Sequence, residues 1–227
     1  MSGISLDRTE LAVRHKAGYI CLMGHWVERV ALEAVPYVPE HALMKRKMRD
    51  GDPFHITIAK AMETTPQMRR SESLQEMYNI VRRNIPPVNL GLGMVRHGEN
   101  GSRSWYCSIS WAAGQQIRKM CNLPPKDFHL TLGFDHRDIH VHKGPSTLLI
   151  HHSIATTPIL TKEQIKGLRE AAIIEAHTSK ERSLISFGLA LTQAELVADD
   201  ALVLSIKLAM ESLKTPGGLS SIQPLEK

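Results

Sequence analysis

The sequence predicts an α+β fold made of two similar halves, followed by a helical extension. Segments with strand character alternate with segments of helical periodicity through the first half of the chain and beyond. Both halves repeat one order of elements: a strand, a basic helix containing methionine, a break containing proline, and a second strand. Farther along, helix-capping patterns replace the strand signals. We therefore divide the chain into a domain at 1–150 and an extension at 151–227, with the two lobes of the domain facing each other.

The elements follow from periodicity and from proline breaks. In the first half, we predict a strand at 19–24, a helix at 40–49, a strand at 54–58 and a helix at 67–83. In the second half, we predict strands at 89–97 and 103–110 joined by a hairpin loop at 98–101, a helix at 112–121 and a strand at 128–134. The segment 24–49 is a long connection, and its part between the strand and the helix receives no assignment.

Three capping boxes predict three helices in the extension. In such a box a threonine hydroxyl caps free backbone N–H groups, and a Glu or Gln three residues later reaches back. The last helix is predicted at 194–214 and is rich in apolar residues, so it must pack against other parts of the protein. These helices either cap the core or offer a surface for a protein partner or a homodimer. The boxes are Thr161/Gln164, Thr178/Glu181 and Thr192/Glu195.

Composition indicates an intracellular protein with a polyanionic partner. The net charge is +5, with basic clusters at 45–49, 69–70 and 82–83. No apolar run reaches the length of a membrane span, and residues 1–14 lack the apolar core of a secretory signal. The three cysteines form no CxxC pair and are interpreted as reduced thiols. We expect a cytoplasmic location, with the nucleus as the alternative.

Two short motifs carry the chemical signal. The chain has Phe-His-Ile-Thr-Ile at 54–58 and Phe-His-Leu-Thr-Leu at 128–132, and both begin with one of its four phenylalanines. Because side chains alternate along a strand, His55 and Thr57 share one face, and His129 and Thr131 do likewise. Two facing lobes would then bring two imidazoles and two hydroxyls together.

This set of groups suits the cleavage of a phosphodiester. An imidazole titrates near pH 6.5, so one histidine can take a proton from water while the other gives a proton to the leaving oxygen. Threonine hydroxyls can donate to the phosphoryl oxygens as negative charge develops. The reaction then requires no metal and no other cofactor.

The doubled motif resembles the two-histidine (2H) phosphoesterases. The stretch 123–134, followed by Asp138-Ile-His140, is similar to the branch called Swiss-army-knife RNA repair-like, which is related to RNA 2′,3′-cyclic phosphodiesterases. The resemblance covers about residues 19–143. It implies a bilobal fold with two antiparallel sheets lining a cleft, and hydrolysis of a 2′,3′-cyclic phosphate, usually to a 2′-phosphate. It also implies that His55 and His129 are the acid–base pair and that Thr57 and Thr131 hold the phosphate.

Further candidates lie close to the motifs. Lys143 could reach a phosphate, although a solvated lysine is an equal interpretation, and Tyr106 could contact a substrate, although core packing is the commoner use of tyrosine. The histidine-rich segments 136–142 and 151–152 allow a zinc site through His136 and His140. No pattern of cysteine or acidic ligands accompanies these histidines, so we predict no metal.

The leading hypothesis is a cyclic phosphodiesterase acting on RNA ends in RNA repair or processing. One alternative is a phosphodiesterase for small cyclic or 2′–5′-linked nucleotides, and basic residues around the site would favour RNA over these. A second alternative is a non-catalytic RNA-binding module, which the two intact motifs argue against. The sequence has no phosphate-binding P-loop, which argues against the kinase or ligase of a repair system.

Overall fold

A computed structural model describes residues 11–97, 101–149, 159–215, 218 and 222 of the chain. These residues contain one antiparallel sheet of six strands in the order β1-β2-β3-β6-β5-β4. The strands are Ala12–Lys16 (β1), Tyr19–Met23 (β2), Ile56–Ala59 (β3), Val88–His97 (β4), Ser102–Ser110 (β5) and Phe128–Phe134 (β6). The α-helices are His25–Ala34 (α1), Glu40–Asp50 (α2), Ser71–Arg83 (α3), Ala112–Met120 (α4), Lys162–Ala176 (α5), Lys180–Leu196 (α6) and Asp200–Ser212 (α7).

The sheet consists of two three-stranded halves that meet at the motif strands. The first half is β1-β2-β3 and the second is β6-β5-β4, and β3 and β6 are joined by the register pair Ile56 and Leu130. The family resemblance implied two antiparallel sheets lining a cleft. The described residues instead form one sheet, because this antiparallel pair links the halves across the centre.

Helices α1 to α4 cover one face of the sheet. Buried residues of these helices share one hydrophobic cluster with alternate residues of the motif strands. The remaining residues of those strands therefore point to the other face. The strand residues in the cluster are Ile56, Ile58, Leu130 and Leu132, and the helix residues include Val27, Ala42, Met77 and Ile117.

Helices α5 to α7 form a second core against β4 and β5. Their apolar residues cluster with Leu90 of β4 and with Leu148. At Gly167 a Cβ atom would lie 3.0 Å from Leu90 and 3.1 Å from Ser110, so a residue without a side chain lets α5 approach the sheet closely. Because this cluster includes residues from both sides of position 150, the division at 1–150 and 151–227 stays a prediction.

Most predicted elements of the domain are confirmed, with shifts at their ends. The predicted strand at 54–58 begins two residues later, at Ile56, and the predicted helix at 67–83 begins at Ser71. The structure adds β1 and α1, which the sequence analysis did not assign. Part of the predicted hairpin loop, at 98–100, lies outside the described residues.

The capping boxes are confirmed once and fail twice. Thr161 accepts from the Gln164 amide nitrogen at 3.2 Å, as predicted. The cap of α6 is Ser179, one residue after Thr178. Thr192 lies inside α6, and Asp199 caps α7 instead, so the predicted helix at 194–214 begins in the wrong place. The Thr192 hydroxyl donates to the Gly188 carbonyl oxygen one turn earlier, a bond that a helix interior allows.

None of the described helices combines the length and the apolar character needed to cross a bilayer.

Candidate active site

The four motif residues meet on the face of the sheet opposite helices α1 to α4. Since Ile56 pairs with Leu130 in antiparallel register, the neighbouring positions put His55 across from Thr131 and Thr57 across from His129. We call these four residues the His–Thr array. Its two histidines lie on one diagonal, where residues are typically about 7–8 Å apart and their Cβ atoms somewhat closer. All four side chains are partly buried, so the array is a set of polar groups on an otherwise apolar pair of strands.

The loop before His55 is fixed by a buried arginine. Arg46 Nη1 donates to the Gly51 carbonyl oxygen at 2.8 Å, and its guanidinium lies 3.8 Å from the centre of the Phe54 ring. The Phe54 amide donates to Glu28 Oε1 at 2.8 Å. These contacts hold the residue before His55 between helices α1 and α2.

A second buried arginine ties the two motif strands together. Arg118 donates to the carbonyl oxygens of Ile58 at 2.6 Å and Pro124 at 2.7 Å, and pairs with Glu63 at 2.9 Å. It therefore links the end of β3 to the turn that leads into β6. Neither Arg46 nor Arg118 was predicted from the sequence, because nothing in a local pattern reveals a hydrogen bond to a distant backbone carbonyl.

His129 lies in a confined and positively charged environment. Its Nδ1 lies 3.4 Å from the carbonyl oxygen of Asp127, which favours a proton on Nδ1 and leaves Nε2 as the free nitrogen. The Tyr106 ring packs edge-on at a centroid distance of 5.9 Å. Burial, and then the charges of Lys143 and Lys126, lower the pKa of His129 to about 3. His129 is therefore neutral near pH 7.

His55 has a more mixed environment. Burial lowers the pKa of His55 below its ordinary 6.5, the charge of Asp50 opposes this shift, and Lys16 and Arg49 reinforce it. Lys16 Nζ donates to the Asp50 carbonyl oxygen at 2.6 Å. Arg49 holds the Asp50 carboxylate through two bonds of 2.7 Å. A carboxylate thus stands close to His55.

Asp138 joins the surroundings of the two histidines. It accepts from Arg49 at 2.9 Å, from Lys143 at 2.5 Å and from the Ser104 hydroxyl at 3.1 Å. Burial alone would raise the pKa of the Asp138 carboxyl, but Lys143 and Arg49 outweigh it and hold the pKa well below its usual range. The Asp138 carboxylate therefore binds one cation from each half of the domain, Arg49 and Lys143.

Lys143 and Tyr106, the two further candidates from the sequence, are both buried. Lys143 is 3% exposed and turns its amine to Asp138, so it contributes charge beside His129 from within the protein. Tyr106 is fully buried, and its hydroxyl donates to the Gly144 carbonyl oxygen at 3.3 Å and bonds to the Thr147 hydroxyl. In this structure both residues support His129, and their contact with a substrate stays a prediction.

The basic clusters of the sequence separate in the fold. From the cluster at 45–49, Arg49 reaches the surroundings of His55 and Arg46 is buried beneath its loop. The clusters at 69–70 and 82–83 lie before and at the end of α3, which packs on the opposite face of the sheet. Only one of the three clusters therefore contributes to the site.

The structure offers little support for a zinc site. The segment containing His136 and His140 is not helical, so their four-residue spacing does not bring them onto one helix face. Within the described ranges, no group of three or more His, Cys, Asp or Glu side chains is arranged to hold a metal ion. The pair at 151–152 lies outside the described residues. The three cysteines are free thiols.

Comparison with known proteins identifies the family of this chain. Residues 18–140 match the model of the Swiss Army Knife 2H phosphoesterase domain. Because this match covers more than half of the chain, the protein belongs to that family, and the family supports a phosphoesterase activity on a phosphodiester substrate. No curated protein and no solved structure matches the chain. The resemblance seen in the sequence is therefore confirmed at the level of the family.

Proposed function

We propose that this protein hydrolyses 2′,3′-cyclic phosphates at the ends of RNA, without a metal, and that the His–Thr array is its catalytic centre. The observation that carries the proposal is the register of β3 and β6. It puts two imidazoles on one diagonal of the array and two hydroxyls on the other. A phosphate above the array would have an imidazole on each side of it, as in-line displacement requires.

His129 is the general base in this proposal. Its lowered pKa keeps it neutral near pH 7, and its Nδ1 faces the Asp127 carbonyl, so Nε2 is available to accept a proton. His55 is the general acid. Burial lowers the pKa of His55, the charge of Asp50 opposes this shift, and a bound phosphate anion would favour the protonated imidazole further.

The reaction proceeds by attack of water on phosphorus. His129 takes a proton from the water as its oxygen bonds to phosphorus, and the bond from phosphorus to the ribose 3′ oxygen breaks. His55 gives its proton to that leaving oxygen, which yields a 3′-hydroxyl and a 2′-phosphate. Thr57 and Thr131 donate hydrogen bonds to the phosphoryl oxygens as charge develops.

A partly exposed arginine near the array favours RNA over a mononucleotide. Arg49 acts on His55 through its charge, and its guanidinium lies 4.7 Å from the Phe134 ring centre. The Arg49 side chain is 38% exposed. Guanidinium groups of this kind can contact phosphates or stack on bases of single-stranded RNA.

The test uses two substrates in the presence of EDTA. The purified protein is incubated with adenosine 2′,3′-cyclic phosphate and with a short RNA that ends in a 2′,3′-cyclic phosphate, and the 2′- and 3′-phosphate products are resolved. We expect hydrolysis to the 2′-phosphate, faster for the RNA. Faster turnover of the mononucleotide would favour the small-nucleotide alternative. Failure to hydrolyse either substrate would contradict the proposal.

A further inference from the structure

We propose that the C-terminal helices are part of the active site, because Glu175 of α5 clamps residues 142–147 and so keeps Lys143 beside His129. In this proposal Glu175 is a positioning residue that acts through Lys143. The kinetic part of its test rests on the function proposed above. The family match ends at residue 140, so the clamp joins the family domain to the chain beyond it.

The clamp is built on one fully buried carboxylate. Glu175 is 0% exposed. Its Oε1 accepts from His142 Nε2 at 2.7 Å, from the Ser146 hydroxyl at 2.8 Å and from the Ser146 amide at 3.2 Å. Its Oε2 accepts from the Ser186 hydroxyl of α6. A buried carboxylate with this many donors is expensive to displace, since each lost partner leaves a polar group unsatisfied.

Residues 142–147 lie directly against the Glu175 carboxylate. A Cβ atom on Gly144 would be 2.5 Å from Glu175 Oε1 and 2.6 Å from His142 Nε2, so a larger residue here would displace the carboxylate or the imidazole. The far end of the segment is held as well. Tyr106 bonds both to the Gly144 carbonyl oxygen and to the Thr147 hydroxyl. The backbone of the segment is therefore fixed on both sides of Lys143.

Lys143 stands between these fixed points. His142 before it bonds to Glu175, and Gly144 after it packs on the same carboxylate. The Lys143 amine is turned away from solvent and bonds to Asp138 at 2.5 Å. A shift of the segment would move this amine, while Asp138 would keep its second partner Arg49 at 2.9 Å.

The consequence for His129 is electrostatic. The charged groups that act on it are the cations Lys143 and Lys126 and the anion Asp138, and its Nδ1 faces the Asp127 carbonyl. Lys143 and Asp138 offset each other. Displacing Lys143 leaves the anion without this partner, which favours the protonated imidazole and raises the pKa of His129. A protonated His129 cannot serve as a base.

The first arm of the test measures His129 directly and needs no turnover. The pKa of His129 is followed by NMR titration of the imidazole in the wild-type protein, Lys143→Met, Glu175→Gln and Glu170→Gln. The last variant is a matched control, with the same change on the same helix at a partly exposed carboxylate that pairs with Arg169. We expect an upward shift in Lys143→Met and Glu175→Gln and none in Glu170→Gln. An unchanged His129 pKa in Glu175→Gln would overturn the proposal.

The second arm measures coupling between the two residues. We expect Glu175→Gln to lower kcat/KM for adenosine 2′,3′-cyclic phosphate by about tenfold, and to have no further effect in a Lys143→Met background. Equal losses in both backgrounds would show that Glu175 acts by another route and would overturn the proposal. If Glu175→Gln does not fold, Ser146→Ala serves instead, because it removes one donor to the carboxylate. It should give a smaller rise in the His129 pKa and a smaller loss of kcat/KM. If the wild-type protein is inactive, the proposed function fails while the titration still decides on the clamp.

Discussion

His55 and His129 begin from the same residue pattern, yet the fold surrounds them differently. His129 lies on the seven-residue strand β6, with the Tyr106 ring at its edge and the buried Lys143 beside it. His55 precedes the four-residue strand β3, and its loop rests on Arg46. The charge of Asp50, at the end of α2, acts on His55. The first histidine is thus supported by helices that precede its strand, and the second by a segment that follows its strand.

In the proposed mechanism, this difference gives a repeated motif two roles. A sheet register can bring two identical His-x-Thr pairs together, but register alone gives both histidines the same chemistry. Burial lowers the pKa of both imidazoles, and their neighbours then differ. Two lysines are the next largest influence on His129 and add to the shift, whereas the carboxylate of Asp50 is the next largest on His55 and opposes it. We infer that the assignment of base and acid depends on the surroundings of the motifs.

The largest expected effect distinguishes the two histidines by how their variants act on substrates with different leaving groups. An aryl phosphodiester such as bis(4-nitrophenyl) phosphate releases a stable phenoxide and needs no general acid. His55→Ala should lose about 10²–10⁴-fold in kcat/KM on the cyclic phosphate but remain close to the wild-type rate on the aryl substrate. His129→Ala should lose activity on both. If His129→Ala, and not His55→Ala, keeps a near-wild-type kcat/KM on the aryl substrate, the assigned roles of acid and base are reversed.

The pH dependence of kcat/KM gives the next effect. The acid must be protonated, and the His55 pKa lies below 6.5, so activity should fall as pH rises through that pKa, by about tenfold per pH unit above it. The base must be neutral, and with a pKa of about 3 His129 should not limit the rate until the pH is strongly acidic. An increase of kcat/KM between pH 6 and 8 would contradict this account of the two sites.

A smaller effect is expected at the carboxylate shared by both halves. Asp138→Asn keeps the shape of the side chain but removes the charge that holds Arg49 and Lys143. We expect kcat/KM to fall about tenfold, as for the loss of hydrogen bonds to a charged group. Steady-state kinetics with the cyclic mononucleotide measures this change. Asp52→Asn, at an exposed carboxylate that pairs with Lys47, is the control and should leave the rate unchanged.

The fold was predictable where the chain signals are local. Periodicity identified β6 with the bounds Phe128–Phe134, and Thr161 marked the start of α5. Two kinds of feature were not predicted from the sequence. The start of α7 was misassigned, because Thr192 and Glu195 have the spacing of a capping box in the sequence. In the structure, Thr192 lies inside α6 and its hydroxyl bonds to the Gly188 carbonyl. The joining of the two halves into one sheet depends on a single register pair, which no sequence pattern specifies.

The candidate site was predictable in its central residues and not in its support. The repeat of Phe-His-x-Thr named His55 and His129 because strand alternation fixes which side chains share a face. The contributions of Arg118 and Glu175 come from contacts with residues far away in sequence, such as Ile58 and His142. Nothing near either residue in the chain distinguishes it from an ordinary charged residue on a helix.

The most direct test of the central claim compares kcat/KM for adenosine 2′,3′-cyclic phosphate in four proteins. These are the wild type, His55→Ala, His129→Ala and the double variant, with the exposed His97→Ala as a control. If the array is the catalytic centre, each single variant loses about 10²–10⁴-fold, the double variant loses little more, and the control matches the wild type. A near-normal rate in either single variant would contradict the account.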